Sequence, residues 1–210
     1  MLVLALIFAT LLNNPRLKGR GLFRTMIFLP CATSLVSYSI IFRSMFSLDG
    51  FVNAVLMNLD LISSPVNWLG NTWSARIIII IAITWRWTGY NMIFYLAGLQ
   101  NIDPQVYEAA KIDGANPLQQ FTRVTIPLLK PIILLTAIMS TNGTLQLFDE
   151  TMNLTSGGPA NTTMSISQYI YMLSFEFNPK FGYAATISYV VLILVAILAF
   201  LQMKVGDSRD

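Results

Sequence analysis

A chain of 210 residues with 55% hydrophobic and only 11% charged positions, mean hydropathy +0.62 and net charge +3 excludes an ordinary water-soluble domain, where about a quarter of residues are charged. It has no His, and its single cysteine, Cys31, stands alone in an apolar run. A disulfide framework and a His- or Cys-based transition-metal centre are therefore excluded as well.

In chain order, Met1 to Leu12 is apolar but too short to cross a bilayer core, which takes about 20 helical residues. Arg16, Lys18, Arg20 and Arg24 follow this run rather than precede it, the reverse of a secretory signal. The run reads as the cytoplasmic end of a helix that begins upstream. Thr25 to Phe42, Pro131 to Phe148 and Phe181 to Met203 carry no charge, and Ile77 to Ile102 carries only Arg86. The expected fold is an all-α membrane protein: a polytopic bundle with four full transmembrane helices plus a partial N-terminal one.

Lys and Arg collect in cytoplasmic loops. Placing residues 13–24 in the cytoplasm puts nine of the thirteen basic residues (16, 18, 20, 24, 111, 123, 130, 204 and 209) on that side. The inverted topology puts only Arg43, Arg76 and Lys180 there. The segment between the second and third spans, residues 103–130, and the C-terminus are thus expected in the cytoplasm.

That segment breaks the apolar pattern. Asp103-Pro104 is an N-cap followed by Pro at the first helical position. Gly114 suits a helix end at positive φ, and Asn116-Pro117 with Gln119 has the spacing of a capping box. Pro127 is expected to interrupt the helix before the next span. The spacing predicts two short helices at the membrane surface. Small Ala109 and Ala110 beside Glu108 fit a docking face for a partner groove, and a plain interfacial helix fits the same spacing.

Glu108-Ala109-Ala110, three residues, Gly114, nine residues and Val124-Thr125-Ile126-Pro127 resemble the EAA motif of membrane subunits of binding-protein-dependent ABC importers. Val124 and Ile126 are conservative departures from its Ile-x-Leu-Pro ending. "FLP" (Phe28 to Pro30), "NWLG" (Asn67 to Gly70), "AGLQNI" and "LTSGGPANTT" (Leu154 to Thr163) resemble the carbohydrate branch. The resemblance covers nearly the whole chain. It implies the type I importer permease fold as a single domain over 1–210, N-terminally incomplete, with a cytoplasmic coupling segment at about 103–127. It also implies an inner-membrane location with a homologous second permease (a heterodimer), two ATPase subunits and an extracellular solute-binding protein. Glu108, Ala109, Ala110, Asp113, Gly114, Arg123 and Pro127 would meet the ATPase. The chain has no G-x-x-x-x-G-K-[ST] phosphate loop. It is accordingly expected to bind no cofactor and catalyse nothing, ATP and Mg belonging to the partners, and nothing points to nucleic acid.

Polar groups within spans are costly and usually face a cavity or a partner. Trp85, Arg86, Trp87, Gly89, Tyr90 and Asn91 form the densest such cluster, and Ser140, Asn142, Thr144 and Gln146 lie on the next span. Aromatic faces can stack on sugar rings while Asn and Arg bond hydroxyls. Trp87-Thr88-Gly89 resembles a Trp-x-Gly stretch lining the sugar site in maltose-type relatives. Two plainer readings stay open: an interfacial aromatic belt, and Arg86 paired with Asp149 or Glu150. The outer loop 154–163 reads as a turn, near the binding-protein surface by resemblance or else a simple connector. An ion-coupled secondary transporter and a non-transporting scaffold stand as alternative functions.

Overall fold

The computed structural model describes residues 1–15 and 17–206; Arg16 and Arg209, used in the topology count, lie outside them. Among the described residues there is no β-strand. The helices are α1 (Leu2–Asn13), α2 (Arg20–Ala32), α3 (Leu35–Met45), α4 (Phe51–Asn58), α5 (Thr72–Gln100), α6 (Pro104–Ile112), α7 (Pro117–Gln120), α8 (Ile126–Leu145), α9 (Ile166–Tyr171) and α10 (Phe181–Gly206). Among the described residues, three spans are long and apolar enough to cross a membrane: Thr72–Gln100, Pro117–Leu145 and Phe181–Gly206. A fourth exists only if the bent pair α2 and α3 is counted as one. α1 is a shorter apolar helix, as its length predicts.

Two local expectations need correction. The run Thr25 to Phe42 is not one continuous helix: it breaks at Thr33 and Ser34. Pro30 lies inside α2 and supplies no N–H to the carbonyl one turn before it. Pro127, conversely, does not interrupt its helix. A π turn at Phe121–Thr125 joins α7 to α8, with Ile126 N–H donating to the Phe121 carbonyl. One wide turn directly before a proline lets the ladder absorb the missing donor while the helix runs on.

The chain forms two compact units. The first comprises Met1–Cys31, Arg86–Thr141 and the chain from Ile197 onward. Its core packs Ala5 and Ala9 of α1 against Met92, Tyr95, Leu96 and Leu99 of α5, with Leu129 of α8. Alanines four apart put two small residues on one face, which lets helices approach closely where no water drives association. Tyr95 OH and Thr136 Oγ1, 2.7 Å apart, hydrogen-bond across this core.

The second unit comprises Ala32–Trp85 and Asn142–Ala196. Tyr38 and Phe42 of α3 meet Ile78, Ile79 and Ala82 of α5, together with Leu154. Its connecting loop is organised by Asn53, which is fully buried. The Asn53 amide donates to the carbonyls of Ser47, Leu48 and Val66 and accepts from Val66 N–H and Trp68 Nε1. A buried amide with all its valences used rigidifies the backbone around it.

Candidate functional site

The segment from Asp103 to Pro127 lies wholly in the first unit. The Asp103 carboxylate accepts from Gln105 N–H at 2.9 Å, with Pro104 in the first turn of α6. Just past the end of α6 stands Gly114, φ +78°. There Ala115 N–H donates to the Ala110 carbonyl at 2.9 Å and Gly114 N–H to the Lys111 carbonyl at 3.0 Å, the paired bonds of a Schellman motif. A reciprocal capping box follows: Gln119 N–H to Asn116 Oδ1 and Asn116 N–H to Gln119 Oε1, both 2.9 Å. Gln120 Nε2 donates to the Ala115 carbonyl at 2.8 Å, and Tyr107 OH lies 3.1 Å from Thr125 Oγ1, tying α6 to the π turn. Each helix end is satisfied by its own side chains or backbone, so the element holds its shape without a partner.

What it presents is an unusual mixture. Glu108, Ala109, Asp113, Gly114, Arg123 and Pro127 are exposed and Ala110 is half-buried. Ile112 is 86% and Leu118 70% exposed. Two aliphatic side chains thus stand exposed on either side of the Gly114 turn, close in sequence to the Glu108 carboxylate and to small residues. Ile112 was not singled out by sequence, although an isoleucine one helical turn after Glu108 was the available signal.

The intramembrane cluster divides by helix face. Trp85, in the second unit, packs on Phe42 and Tyr38, with ring centroids 5.4 and 6.3 Å away. Arg86, Trp87, Gly89, Tyr90, Asn91 and Ser140 belong to the first unit. Arg86 is buried; Nη1 donates to the Pro30 carbonyl at 3.0 Å and Nη2 to the Cys31 carbonyl at 3.2 Å. These carbonyls sit at the C-terminal end of α2, where backbone acceptors have no helical donor and the helix dipole favours a cation. Gly89 faces the same helix: a Cβ there would stand 2.0 Å from the Ile27 carbonyl oxygen. Both residues serve the contact between α5 and α2.

Trp87, Tyr90 and Phe94 form a ladder of edge-on rings at 5.5 and 5.1 Å, the Trp87 and Tyr90 rings half-buried. Phe94 was missed by sequence because it lies beyond the polar cluster, but its spacing from Trp87 and Tyr90 puts it on their face. Asn91 is buried; its amide donates to the Trp87 carbonyl at 2.8 Å, and its Oδ1 accepts from Ser140 Oγ at 3.5 Å. In the second unit, at the end of α8, Gln146 Nε2 donates to Asn142 Oδ1 at 2.7 Å; both residues and Thr144 are exposed. The loop 154–163 is tightly bonded: Thr163 Oγ1 donates to the Gly158 carbonyl at 2.6 Å and lies 2.7 Å from Thr155 Oγ1. Glu150 beside it is 3% exposed. Among the described residues no group of three or more His, Cys, Asp or Glu comes together to hold a metal.

Long apolar helices joined by a self-capped exposed turn define a polytopic membrane protein. The chain belongs to the binding-protein-dependent transport system inner membrane component family, whose model matches residues 1–205. It is 60% identical to the lactose transport system permease protein LacF of Rhizobium radiobacter, over 100% of this chain and 71% of the relative. It is 34% identical to the arabinooligosaccharides transport system permease protein AraP of Bacillus subtilis (strain 168), over 97% of this chain and 65% of that relative's length. A solved bacterial alginate ABC transporter, in complex with an alginate pentasaccharide-bound periplasmic protein, matches with TM-score 0.79 and 28% identity. That match covers 98% of this chain and 70% of the solved one.

Proposed function

We propose that this chain is the permease subunit of an ATP-driven sugar importer and receives its driving motion through residues 103–127. The observation that carries this reading is the rigid turn with Ile112 and Leu118 bare beside Glu108, Ala109 and Gly114. A self-capped element transmits force without deforming, and its exposed apolar residues supply the contact area. Two ATPase subunits would hold ATP and Mg, and this chain would bind neither. A homologous second permease would complete the path, and an extracellular binding protein would deliver the solute. The segment and the C-terminus would face the cytoplasm.

The solute would meet the aromatic ladder of Trp87, Tyr90 and Phe94, held in place from behind by Asn91, which is buried and bonded to the Trp87 carbonyl and to Ser140. Arg86 and Gly89, committed to α2, would shape this path rather than line it. The 60%-identical relative is a lactose permease, which makes lactose the first probe. In liposomes holding the complete complex and ATP, labelled lactose should accumulate. Trp87→Ala should raise half-saturation about 5- to 10-fold, the loss of roughly one aromatic contact of about 1 kcal/mol. Failure of lactose and every sugar in a panel to accumulate contradicts the sugar reading; unchanged kinetics in the variant removes Trp87 from the path.

A further inference from the structure

A groove that the transport reading does not use lies in the first unit, between α1 and the start of α2. It encloses about 440 Å³ and is walled by apolar side chains, among them Leu11, Leu12, Phe23 and Ile27, with Asn14 the polar residue at its lining. The turn that links its two walls is basic in sequence. Lys18 and Arg20 are exposed, Arg24 is half-buried, and the first acidic residue of the chain is Asp49. Arg24 is fixed at the groove wall: Nη2 donates to the Leu12 carbonyl at 3.2 Å. Its Nε is buried and has no hydrogen-bond partner among the described residues.

We infer that this groove is a binding site for an anionic glycerophospholipid, its acyl chain against the apolar wall and its phosphate-bearing headgroup among Lys18, Arg20 and Arg24. The wall and the charges belong together because an apolar helix gives way to a basic turn here, which is where a membrane's hydrocarbon gives way to its headgroups. A zwitterionic lipid would satisfy the wall but not the charge. In an anionic headgroup no choline or amine cation cancels the phosphodiester's negative charge, and its acceptor oxygens suit guanidinium donors. Such basic pockets at the cytoplasmic rim of membrane proteins have this chemistry generally.

The test uses the assembled complex in nanodiscs of equimolar phosphatidylglycerol and phosphatidylcholine, with lipid retained on this subunit counted by native mass spectrometry. Phosphatidylglycerol should be retained in preference to phosphatidylcholine. The double variant Lys18→Gln, Arg20→Gln should cut that preference about 25-fold, at about fivefold per surface cation. Both positions are exposed, so the fold is not at stake. Leu11→Trp keeps every charge and fills the groove from an exposed wall position; it should abolish retention while the complex stays assembled. Equal retention of the two lipids, retention indifferent to the charge change, or a groove closed by a protein segment with no lipid would each overturn the proposal.

Discussion

Gly114→Asp is expected to strip the proposed ATPase subunits from the complex while leaving this chain in the membrane. Gly114 adopts φ +78°, and a Cβ built there meets nothing within 4 Å. The chain itself therefore tolerates a side chain, with a backbone cost of only about 1–2 kcal/mol, and Asp is among the residues that accept this conformation best. In a docked state the same site would bury a carboxylate without a partner, which costs several kcal/mol. At about 1.4 kcal/mol per tenfold, retention should fall by about a hundredfold or more. Gly114→Ala, which adds strain but no charge, should lose far less. Quantitative co-purification from membranes, normalised to the amount of this chain, measures both. Full ATPase retention by the Asp variant would contradict the docking role.

Gly89→Ala is expected to damage the protein itself. The added Cβ would lie 2.0 Å from the Ile27 carbonyl oxygen, 2.8 Å from its carbon and 2.9 Å from Phe28 Cα. All three are backbone atoms, so no rotamer change relieves the overlap, and α5 must move away from α2 by roughly 1 Å. Overpacking of this kind costs about 1–3 kcal/mol. Arg86, one turn earlier on α5, would at the same time be drawn off the Pro30 and Cys31 carbonyls, leaving buried polar groups less well paired. A loss near 3 kcal/mol lowers the melting temperature by about 6–12 °C in a chain of this size. Gly21→Ala on α2, where a Cβ meets nothing within 4 Å, is the control and should melt like the parent. Melting of Gly89→Ala at the parental temperature would remove the close approach from this account.

What the sequence makes legible follows from how local each rule is. Asp103, Gly114, Asn116 and Gln119 act within a few residues of themselves, and all four do in the structure what their spacing predicts. The apolar lengths likewise mark the α5, α8 and α10 spans. The break at Thr33 and Ser34 is hidden because Pro30 alone bends a helix to no fixed degree, and the Pro30 and Cys31 carbonyls left open where α2 ends are answered by Arg86, 56 and 55 residues away. The same distance hides the role of Gly89, whose reason is an atom of Ile27. Pro127 departs from expectation for a related cause: a proline stops a helix only if the preceding turn cannot widen, and Phe121–Thr125 does widen. Trp85 and Trp87 look alike in sequence, but two positions along a helix point them to different faces.

The energy source is the claim on which the rest depends. Ion-coupled transporters use buried carboxylates, and Glu150 is one: it is 3% exposed, and its Oε1 has no hydrogen-bond partner among the described residues. The deciding measurement is lactose accumulation by the complete complex in liposomes, with ATP inside or absent, before and after ionophores collapse every ion gradient. Accumulation that needs ATP and survives the ionophores is the predicted result. Accumulation without ATP that the ionophores abolish would contradict the account.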